Sequence, residues 1–569
     1  MIVVGLVALF WWSDRRPGPN PSRPGVEAPA RGGTLVASLR SEPRSFNRLV
    51  SRDYATELIT LLTQARLVRV NRATQELEPW LAERWTSSPD GLVHTLVLRE
   101  GLQWSDGEPF TSGDVAFTFA AVADPAVKSV LAGSLLIDGQ PLSVATPDER
   151  TVVVTFPRPF GPGLRLLDNF AILPRHLLAR AQADGTMSQA WGPTTPPAEM
   201  SGMGPFVLTS YEPGQRLTFA RNPHYWRRDE SGQPLPYLDG LVVEIVPDQN
   251  GELLGLQAGR IDLTQQQLRA EDYAAARDLE RQGALRLIEV GVALDPDVFF
   301  FNLRPSAWAK DPRRAWLPTD EFRQAISHAI DREAYANTVF LGAAVPVHGP
   351  VTPGNRRWFW PDLPRYAFDR SKASALLAGL GLANRDADAF LEDEAGTEAR
   401  FTLLTFKTNT TLQRGAQVLK ESLEAIGIAV DVVPLEPGAL IERLTAGSFE
   451  AIFFNYVTSD PDPAMQRDFW MSSGSAHIWN IEEPTPATDW ERQLDDLITR
   501  QAAAVDEAER VRLFRDAQLV FSRHLPALYF AAPRVYVAVS SRLRHETPAI
   551  NRPQLLWSAD TLSVVGPAP

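Results

Sequence analysis

Residues 401–456 carry the pattern that most constrains the fold of this chain. Strand-like segments at 401–406, 428–433 and 450–456 alternate with helix-like segments at 412–426 and 440–444. This order is that of a βαβαβ unit, and such units form parallel sheets because their crossovers share one handedness. We therefore predict an α/β protein whose ligand lies beyond the carboxyl ends of these strands.

The last of these strands leads into a polar loop. Asn455 and Tyr456 end the strand, and the loop at 458–463 has the sequence TSDPDP. Both residues, with Ser459 and Asp460 of the loop, are candidates for ligand contact because they follow the carboxyl end of a parallel strand. The alternative is that the aspartates only shape a turn with the neighbouring prolines.

The length of 569 residues indicates at least two lobes, since single hydrophobic cores stop growing at about 250–300 residues. Alternating patterns continue along the chain and support an α/β class throughout. Strands are predicted at 34–39, 94–98, 151–156 and 241–246, and helices at 53–64, 319–330 and 506–521.

The composition excludes several classes of function. A net charge of -13 argues against a nucleic-acid binder, which needs basic patches to displace counterions. The chain has no cysteine, so disulfides, thiolate metal sites, cysteine nucleophiles and a lipidated cysteine anchor are all excluded. A hydrophobic content of 44% and a charged content of 22% are ordinary for a globular domain.

The first 33 residues predict an exported protein. Residues 1–12 are unbroken apolar sequence, but a helix of that length rises only about 18 Å and is too short to cross a membrane. Residues 17–33 contain five prolines and four glycines, which is linker composition. We interpret residues 1–33 as the remnant of an export signal or anchor with its linker. A buried N-terminal helix is the alternative.

Motifs of catalysis and metal binding are missing from the sequence. No two of the eight histidines are spaced i, i+4, and there is no HExxH, P-loop, GxGxxG or GxSxG pattern. We therefore expect no metal, no cofactor and no enzymatic activity, although a catalytic pair drawn from distant segments stays open.

Aromatic residues beside polar ones suit a pocket that accepts varied side chains. The chain has 15 tryptophans, and Trp470 and Trp479 lie close to loop residues. We include both among the candidate ligand contacts, together with Tyr54. The alternative is that most aromatic side chains pack in the core.

Several ordered blocks carry a resemblance to one family. The segment LREGLQWSDGEPF at 98–110, with Asp114 and Val115, is similar to a signature of the bacterial extracellular solute-binding proteins, family 5. Further blocks resemble this family in the same order: GMGPF at 202–206, RNPHYW at 221–226, FRQAISHAIDR at 322–332, and 366–377.

The resemblance implies a two-lobed periplasmic-binding-protein fold of type II, in the large class with an extra subdomain, and a ligand in the cleft between the lobes. The hinge would involve Phe301, Asn302 and Phe530. The implied division is 1–33 for the export segment and linker, 34–298 for lobe I with the extra subdomain at about 77–199, 299–530 for lobe II, and 531–569 for the return to lobe I.

The resemblance also implies the function. The protein would be the substrate-binding component of an ABC importer, a periplasmic or extracytoplasmic monomer, either free or tethered to the inner membrane by its N-terminal segment. It would capture short peptides and deliver them to the permease subunits. Asp460 would anchor the peptide ammonium, although Ser459 aligns with the carboxylate of peptide-binding relatives and Asp460 follows one position later. Met203 replaces the family's threonine in GMGPF. The alternatives are an oligosaccharide, an opine-like solute or a nickel chelate in the same fold, or a peptide sensor or chaperone without transport.

Overall fold

A computed structural model of the protein describes residues 29–264, 266–386, 388–456 and 460–566. Ser459 and most of the predicted export segment lie outside the described residues. The strands are β1 (Thr34–Leu39), β2 (Val68–Val70), β3 (Leu77–Pro79), β4 (Ala82–Ser87), β5 (Val93–Leu98), β6 (Leu136–Ile137), β7 (Gln140–Pro141), β8 (Ser143–Asp148), β9 (Thr151–Thr155), β10 (Phe206–Glu212), β11 (Arg216–Arg221), β12 (Gly240–Ile245), β13 (Arg286–Val292), β14 (Asp297–Phe301), β15 (Ala344–Pro346), β16 (Arg400–Phe406), β17 (Ala429–Leu435), β18 (Ala451–Asn455), β19 (Ala527–Tyr529), β20 (Ala531–Val539), β21 (Leu543–Arg544) and β22 (Ser563–Val564).

The helices alternate with these strands, as the sequence predicts for an α/β protein. None of them combines the length and the apolar composition needed to cross a lipid bilayer. They are α1 (Tyr54–Thr63), α2 (Ser112–Ala123), α3 (Gly163–Leu166), α4 (Arg175–Ala183), α5 (Gln249–Gln257), α6 (Tyr273–Arg281), α7 (Pro305–Trp308), α8 (Asp320–Ala329), α9 (Arg332–Val339), α10 (Arg370–Gly379), α11 (Thr410–Glu424), α12 (Pro437–Thr445), α13 (Arg467–Trp470), α14 (Asp489–Ala503) and α15 (Glu507–His524).

The predicted βαβαβ unit is confirmed. Strands β16, β17 and β18 are joined through α11 and α12, and β16 pairs in parallel with both of the other strands. The complete sheet has the order β17-β16-β18-β14-β19, and β14 pairs antiparallel with both β18 and β19. Ala451 to Phe454 of β18 are buried on both faces, which explains their continuous apolar sequence.

Three further sheets of the described residues have three or four strands each. One has the order β1-β12-β11-β10, and a second has the order β4-β5-β9-β8. The third has the order β13-β20-β15. In the first of these sheets, β1 pairs in parallel with β12. The first strand of the described residues is therefore hydrogen-bonded to a strand that follows some 200 residues later.

Two large hydrophobic cores result from this arrangement. Most of the first core comes from residues 35–263 and 537–564, and the second from residues 298–532. Strand β20 belongs to both cores, since Ala531 and Ala532 pack in the second and Val537 and Val539 in the first. The chain therefore passes between the cores at residues 293–297 and returns along β20, beside its antiparallel partner β13.

The structure places two of the predicted hinge residues away from these crossings. Phe301 is fully buried in the second core, and the side-chain amide of Asn302 donates to the carbonyls of Gly447 (2.9 Å) and Phe449 (3.1 Å). These contacts anchor the Asn302 side chain in the second core, and a hinge role for Phe301 and Asn302 stays a prediction. Phe530, in contrast, lies between β19 and β20, where the chain starts its return.

The GMGPF block packs closely against the carboxyl end of α1. A Cβ atom on Gly202 would lie 1.9 Å from the carbonyl oxygen of Thr63, and one on Gly204 would lie 2.4 Å from the Thr63 carbonyl carbon. Only glycine permits this approach to the end of α1. Met203 is 1% exposed and packs in the first core, so its difference from the family's threonine is a matter of packing.

Candidate functional site

A cavity of about 350 Å³ lies where the chain passes between the cores. Its wall combines α1 and its flanking segments, the crossing residues Ala293, Leu294 and Val535, and Asp460 from the loop after β18. The volume falls within the range of ligand pockets in proteins. The position beyond the carboxyl end of β18 agrees with the expectation for a parallel sheet.

The wall of this cavity is unusually rich in charge. The cationic side chains come from four separate stretches of the chain, and the carboxylates face them. The charged residues are Arg48, Arg52, Arg66, Arg72, Arg165 and Arg552, and Glu57, Asp168, Asp295 and Asp460.

Helix α1 presents the central carboxylate of this network. The side chain of Asp53 caps the helix by accepting from the Thr56 amide at 2.9 Å, which aims the first turn at the cavity. Glu57 then pairs with Arg48 at 2.6 Å and with Arg66 at 3.0 Å. Tyr54, a predicted contact, also lines the cavity, and burial raises the pKa of its hydroxyl.

The electrostatic balance around Glu57 favours its charged form. Burial opposes ionisation, but Arg66, Arg48 and Arg72 outweigh it and lower the pKa of the Glu57 carboxyl. Arg72 lies 3.5 Å from the same carboxylate. Glu57 therefore holds three guanidinium groups in place, and its single charge neutralises only part of theirs.

Arg52 differs from these arginines because no ion pair joins it to a carboxylate within the described part of the chain. Burial lowers the pKa of the Arg52 guanidinium, and the neighbouring Arg48 lowers it further. An anionic group in the cavity would relieve this repulsion. Arg52 is therefore a candidate to receive a negatively charged part of a ligand, and so is Arg552, which also lines the cavity without an ion pair among the described residues.

Asp460 is paired across the gap between the cores. The Nε atom of Arg165 lies 3.1 Å from Oδ1 and 3.2 Å from Oδ2 of Asp460, and Nη1 of Arg165 donates to the carbonyl of Gln75 at 3.1 Å. Burial raises the pKa of the Asp460 carboxyl, which Arg165 counteracts only in part. The second aspartate of the loop, Asp462, is buried against Arg510 instead and is structural.

The other predicted contacts divide between a second cavity and the core. Tyr456 and Trp470 line a small apolar cavity of about 30 Å³, which shares Leu294 with the charged cavity. Asn455 is half-buried and pairs with Asp297 in the sheet. The Trp479 indole is 0% exposed and belongs to the wall of neither cavity.

Trp479 is buried because it belongs to an aromatic cluster in the second core. Its ring centre lies 5.5 Å from that of Phe469, 5.7 Å from that of Phe521 and 4.2 Å from that of His477. Trp479 thus packs in the core, which is the alternative given above for aromatic residues beside polar ones.

The arginines of the cavity are candidate functional residues that the sequence analysis did not single out. A signal was present, since arginines at 48, 52, 66, 69 and 72 flank the predicted helix 53–64 on both sides. Arg165 and Arg552 could not be found in this way because packing alone brings them to the cavity.

Comparison with known proteins identifies the family. The family model for bacterial extracellular solute-binding proteins, family 5 (middle) matches residues 76–477, which is most of the chain. The chain belongs to this family. Family 5 proteins are the solute-binding components of ABC transporters rather than enzymes, and they work with the transporter permeases.

Relatives of this family 5 protein span nearly its whole length. A probable ABC transporter-binding protein of Deinococcus radiodurans is 26% identical over 565 residues, which cover 96% of this chain and 92% of the relative. The oligopeptide-binding protein AppA of Bacillus subtilis is 26% identical over 492 residues, or 84% of each chain.

Solved structures confirm the two-lobed α/β fold. AppA in complex with a nonapeptide superposes with a TM-score of 0.70 and 23% identity, covering 95% of this chain and all of AppA. The binding protein MelB of Agrobacterium fabrum C58 in complex with stachyose gives a TM-score of 0.71 and 23% identity, covering 95% and 85% of the two chains. The same fold thus holds chemically different solutes.

Proposed function

We propose that this protein captures short peptides in the charged cavity and delivers them to the permease of an ABC importer. The observation that carries the proposal is the presence of both arginines and carboxylates in one cavity at the crossing between the cores. A peptide with free ends carries one ammonium and one carboxylate, and each needs a partner of opposite charge once it leaves water. The relationship to AppA, which binds a nonapeptide, supports the same class of ligand.

In this proposal Asp460 receives the peptide ammonium. Arg165 already contacts both carboxylate oxygens of Asp460, so the incoming ammonium has to share that carboxylate or displace the guanidinium. Arg165 keeps a second partner, the carbonyl of Gln75, to which it can remain bound after such an exchange. Arg52 would receive the peptide carboxylate, since no carboxylate of the described residues forms an ion pair with it and the nearby Arg48 disfavours its charge.

Closure of the two lobes around the ligand is part of the proposal. Besides the Arg165–Asp460 pair, Arg467 lies 2.7 Å from Asp138 across the same gap. We propose the division at 34–298, 299–530 and 531–569 as the lobes, with the extra subdomain at about 77–199. Movement would occur in residues 293–297 and around Phe530. A ligand drives this closure only if it binds the closed state more tightly than the open one.

The second candidate is an anionic solute without an ammonium, such as an opine-like acid. The excess of arginines over carboxylates in the wall favours this ligand, and so does the pairing of Asp460 with Arg165. A sugar is less favoured, since among the described residues Tyr54 is the single aromatic in the wall and stacking platforms are scarce. Whichever ligand it binds, we propose that the protein is periplasmic and that residues 1–33 form its signal or anchor.

Calorimetric titration with three forms of one tripeptide tests the proposal. The forms are the free peptide, its N-acetylated form and its C-terminal amide. We expect each modification to weaken binding about 10- to 100-fold, the value of one hydrogen-bonded charge. Binding of a dicarboxylic acid, without binding of any of these peptides, would establish the second candidate instead.

Native mass spectrometry of the protein purified from its host provides the unbiased control. Co-purified peptides of mixed sequence and narrow length would support backbone-directed capture. A single non-peptide species would contradict the peptide assignment, and the family assignment would stand.

A further inference from the structure

Three buried side chains meet in the second core at a place that no part of the transport proposal uses. His477 and Glu483 lie in the segment 471–488 that connects α13 to α14, and Glu491 lies in the first turn of α14. Their exposed fractions are 0%, 7% and 2%. One ligand atom of each residue lies within 4.8 Å of those of the other two.

The imidazole of His477 is oriented by a backbone carbonyl. Its Nδ1 atom lies 3.2 Å from the carbonyl oxygen of Phe469 and must donate, because a carbonyl oxygen can only accept. In the neutral ring, Nε2 then carries a lone pair, and this atom is buried without a hydrogen-bond partner in the described structure. It lies 3.8 Å from Oε1 of Glu491.

The carboxylate of Glu491 is oriented by hydrogen bonds as well. Oε2 of Glu491 accepts from the hydroxyl of Thr488 at 2.7 Å and from its amide at 3.0 Å, so Oε1 is the oxygen left to face His477. Oε2 of Glu483 is also buried without a hydrogen-bond partner within the described residues. His477 and Glu483 thus each have a buried ligand atom without a hydrogen-bond partner in the described residues, and one ligand atom of each lies within 4.8 Å of one of Glu491.

This cluster has no permanently charged cation among the described residues, and a protonated His477, 3.8 Å from Glu491, is the one positive charge that its own members could supply. Asp495 lies nearby, accepting from the Ser472 amide at 2.8 Å, and adds a third carboxylate. Across the described ranges, no lysine or arginine forms an ion pair with Glu483, Glu491 or Asp495. Buried carboxylates without a counter-charge are strongly unfavourable, so a cation between them would stabilise the fold.

We propose that His477 Nε2, Glu491 Oε1 and Glu483 bind one divalent transition-metal ion, with zinc as the reference ion. An imidazole among carboxylates favours zinc or a similar ion over calcium and magnesium, which prefer oxygen ligands alone. Ligand atoms around tetrahedral zinc are about 3.4 Å apart, so the Nε2–Oε1 separation of 3.8 Å needs to shorten by only a few tenths of an ångström. The Phe469 carbonyl supplies the outer contact that ligating histidines usually make.

The ion would have a structural role distinct from that of the transported solute. None of the three ligands lines the charged cavity. The ion would fasten segment 471–488 to the start of α14, behind the aromatic cluster of Phe469 and Trp479. A long connection without regular structure gains most from such a tie.

Metal content and thermal unfolding of the full chain test the site. The protein is stripped with a chelator, incubated with zinc, passed through a desalting column and measured by mass spectrometry for zinc per chain. We expect one retained zinc per chain and a higher unfolding temperature, which a chelator reverses. His477→Gln and Glu483→Gln should each lose the retained zinc and the temperature shift. Asp388→Asn, in the acidic cluster of exposed Asp386 and Asp388 with the buried Glu392, is the matched control and should behave as the parent protein.

Anomalous diffraction from zinc-soaked crystals of the parent protein keeps the test independent of variant folding. A zinc peak between His477, Glu483 and Glu491 is expected. Zinc retained in full by both variants, a peak only at the acidic cluster of Asp386, Asp388 and Glu392, or no retained zinc would overturn the proposal. Peptide binding by the zinc-free protein does not bear on the site, so the two proposals can fail separately.

Discussion

Arg165 and Asp460 join the two hydrophobic cores, with the Nε atom 3.1 Å and 3.2 Å from the two carboxylate oxygens. Arg165 packs with the first core in α3, whereas Asp460 follows β18 of the second. The pair lies in the wall of the candidate binding cavity, so a ligand that competes for either side chain also alters the contact between the cores. In the proposed function, recognition and closure would therefore depend on the same two groups.

We predict that Asp460→Asn selectively weakens binding of peptides with a free amine. The substitution keeps the size of the side chain and removes the charge that an ammonium needs, which should cost about 10- to 100-fold in affinity. Calorimetry with the free and N-acetylated tripeptide measures the difference. Asp138→Asn is the matched control, because it breaks the Arg467 pair at the same gap but lies outside the charged cavity. An equal loss for both peptides would contradict a role as amine anchor.

We predict that Arg52→Gln weakens binding of ligand carboxylates without lowering stability. The side chain lines the cavity, and removing it relieves repulsion with Arg48 rather than breaking an ion pair. Affinity for the free tripeptide should fall about tenfold or more, whereas the C-terminal amide should bind as before. Arg180→Gln, at an exposed position in α4, provides the control. A lowered unfolding temperature in Arg52→Gln would show a structural role instead.

We predict that the Asp297 carboxyl makes the stability of the folded protein depend on pH. This residue is 4% exposed, accepts from the Tyr335 hydroxyl at 2.7 Å, and burial raises its pKa to about 7. The folded protein therefore holds a proton that the unfolded chain has lost at pH values between about 4 and 7. Its contribution to stability is present at low pH and disappears as the pH rises through that range, with a slope of up to about 1.4 kcal/mol per pH unit.

Asp297→Asn isolates this effect, because asparagine has the same shape and does not titrate. The variant should unfold at the same denaturant concentration as the parent protein near pH 4 and at a clearly higher one above pH 7. Urea titrations at several pH values measure the gap. A gap that stays constant with pH would show that Asp297 is ionised in both states.

We predict that Gly204→Ala destabilises the first core by at least about 2 kcal/mol, because the new methyl group would overlap the Thr63 carbonyl at the end of α1. Chemical denaturation measures the change. Gly438→Ala is the control: a Cβ at this helical position meets no atom within 4 Å, so stability should stay the same or rise by up to about 1 kcal/mol. Similar losses in both variants would argue against the close approach.

Local patterns in the sequence were enough to predict the sheet and the helices around it. Helix α1 begins and ends within one residue of the predicted 53–64, and the order of strands and helices in 401–456 gives parallel pairing without further information. These features are determined by residues that are close in the sequence, so a short stretch of sequence is enough to predict them.

Features set by long-range packing were harder to predict. The phenylalanines at 299–301 look alike whether their strand crosses between lobes or lies in a core, so their sequence did not reveal that Phe301 is buried in the second core. Trp479 beside polar residues does not reveal its burial. The His477 cluster escaped notice because its members are six and eight residues apart, and fixed metal motifs describe other spacings.

The return of β20 to the first core has a consequence for the order of events during synthesis. Residues 537–564, including both β21 and β22, complete a core that begins at Leu35. The second core, in contrast, draws on one continuous stretch that ends at Ala532. The half of the molecule that is made first must therefore wait for the last segments to be made, and the half made later can finish folding before it.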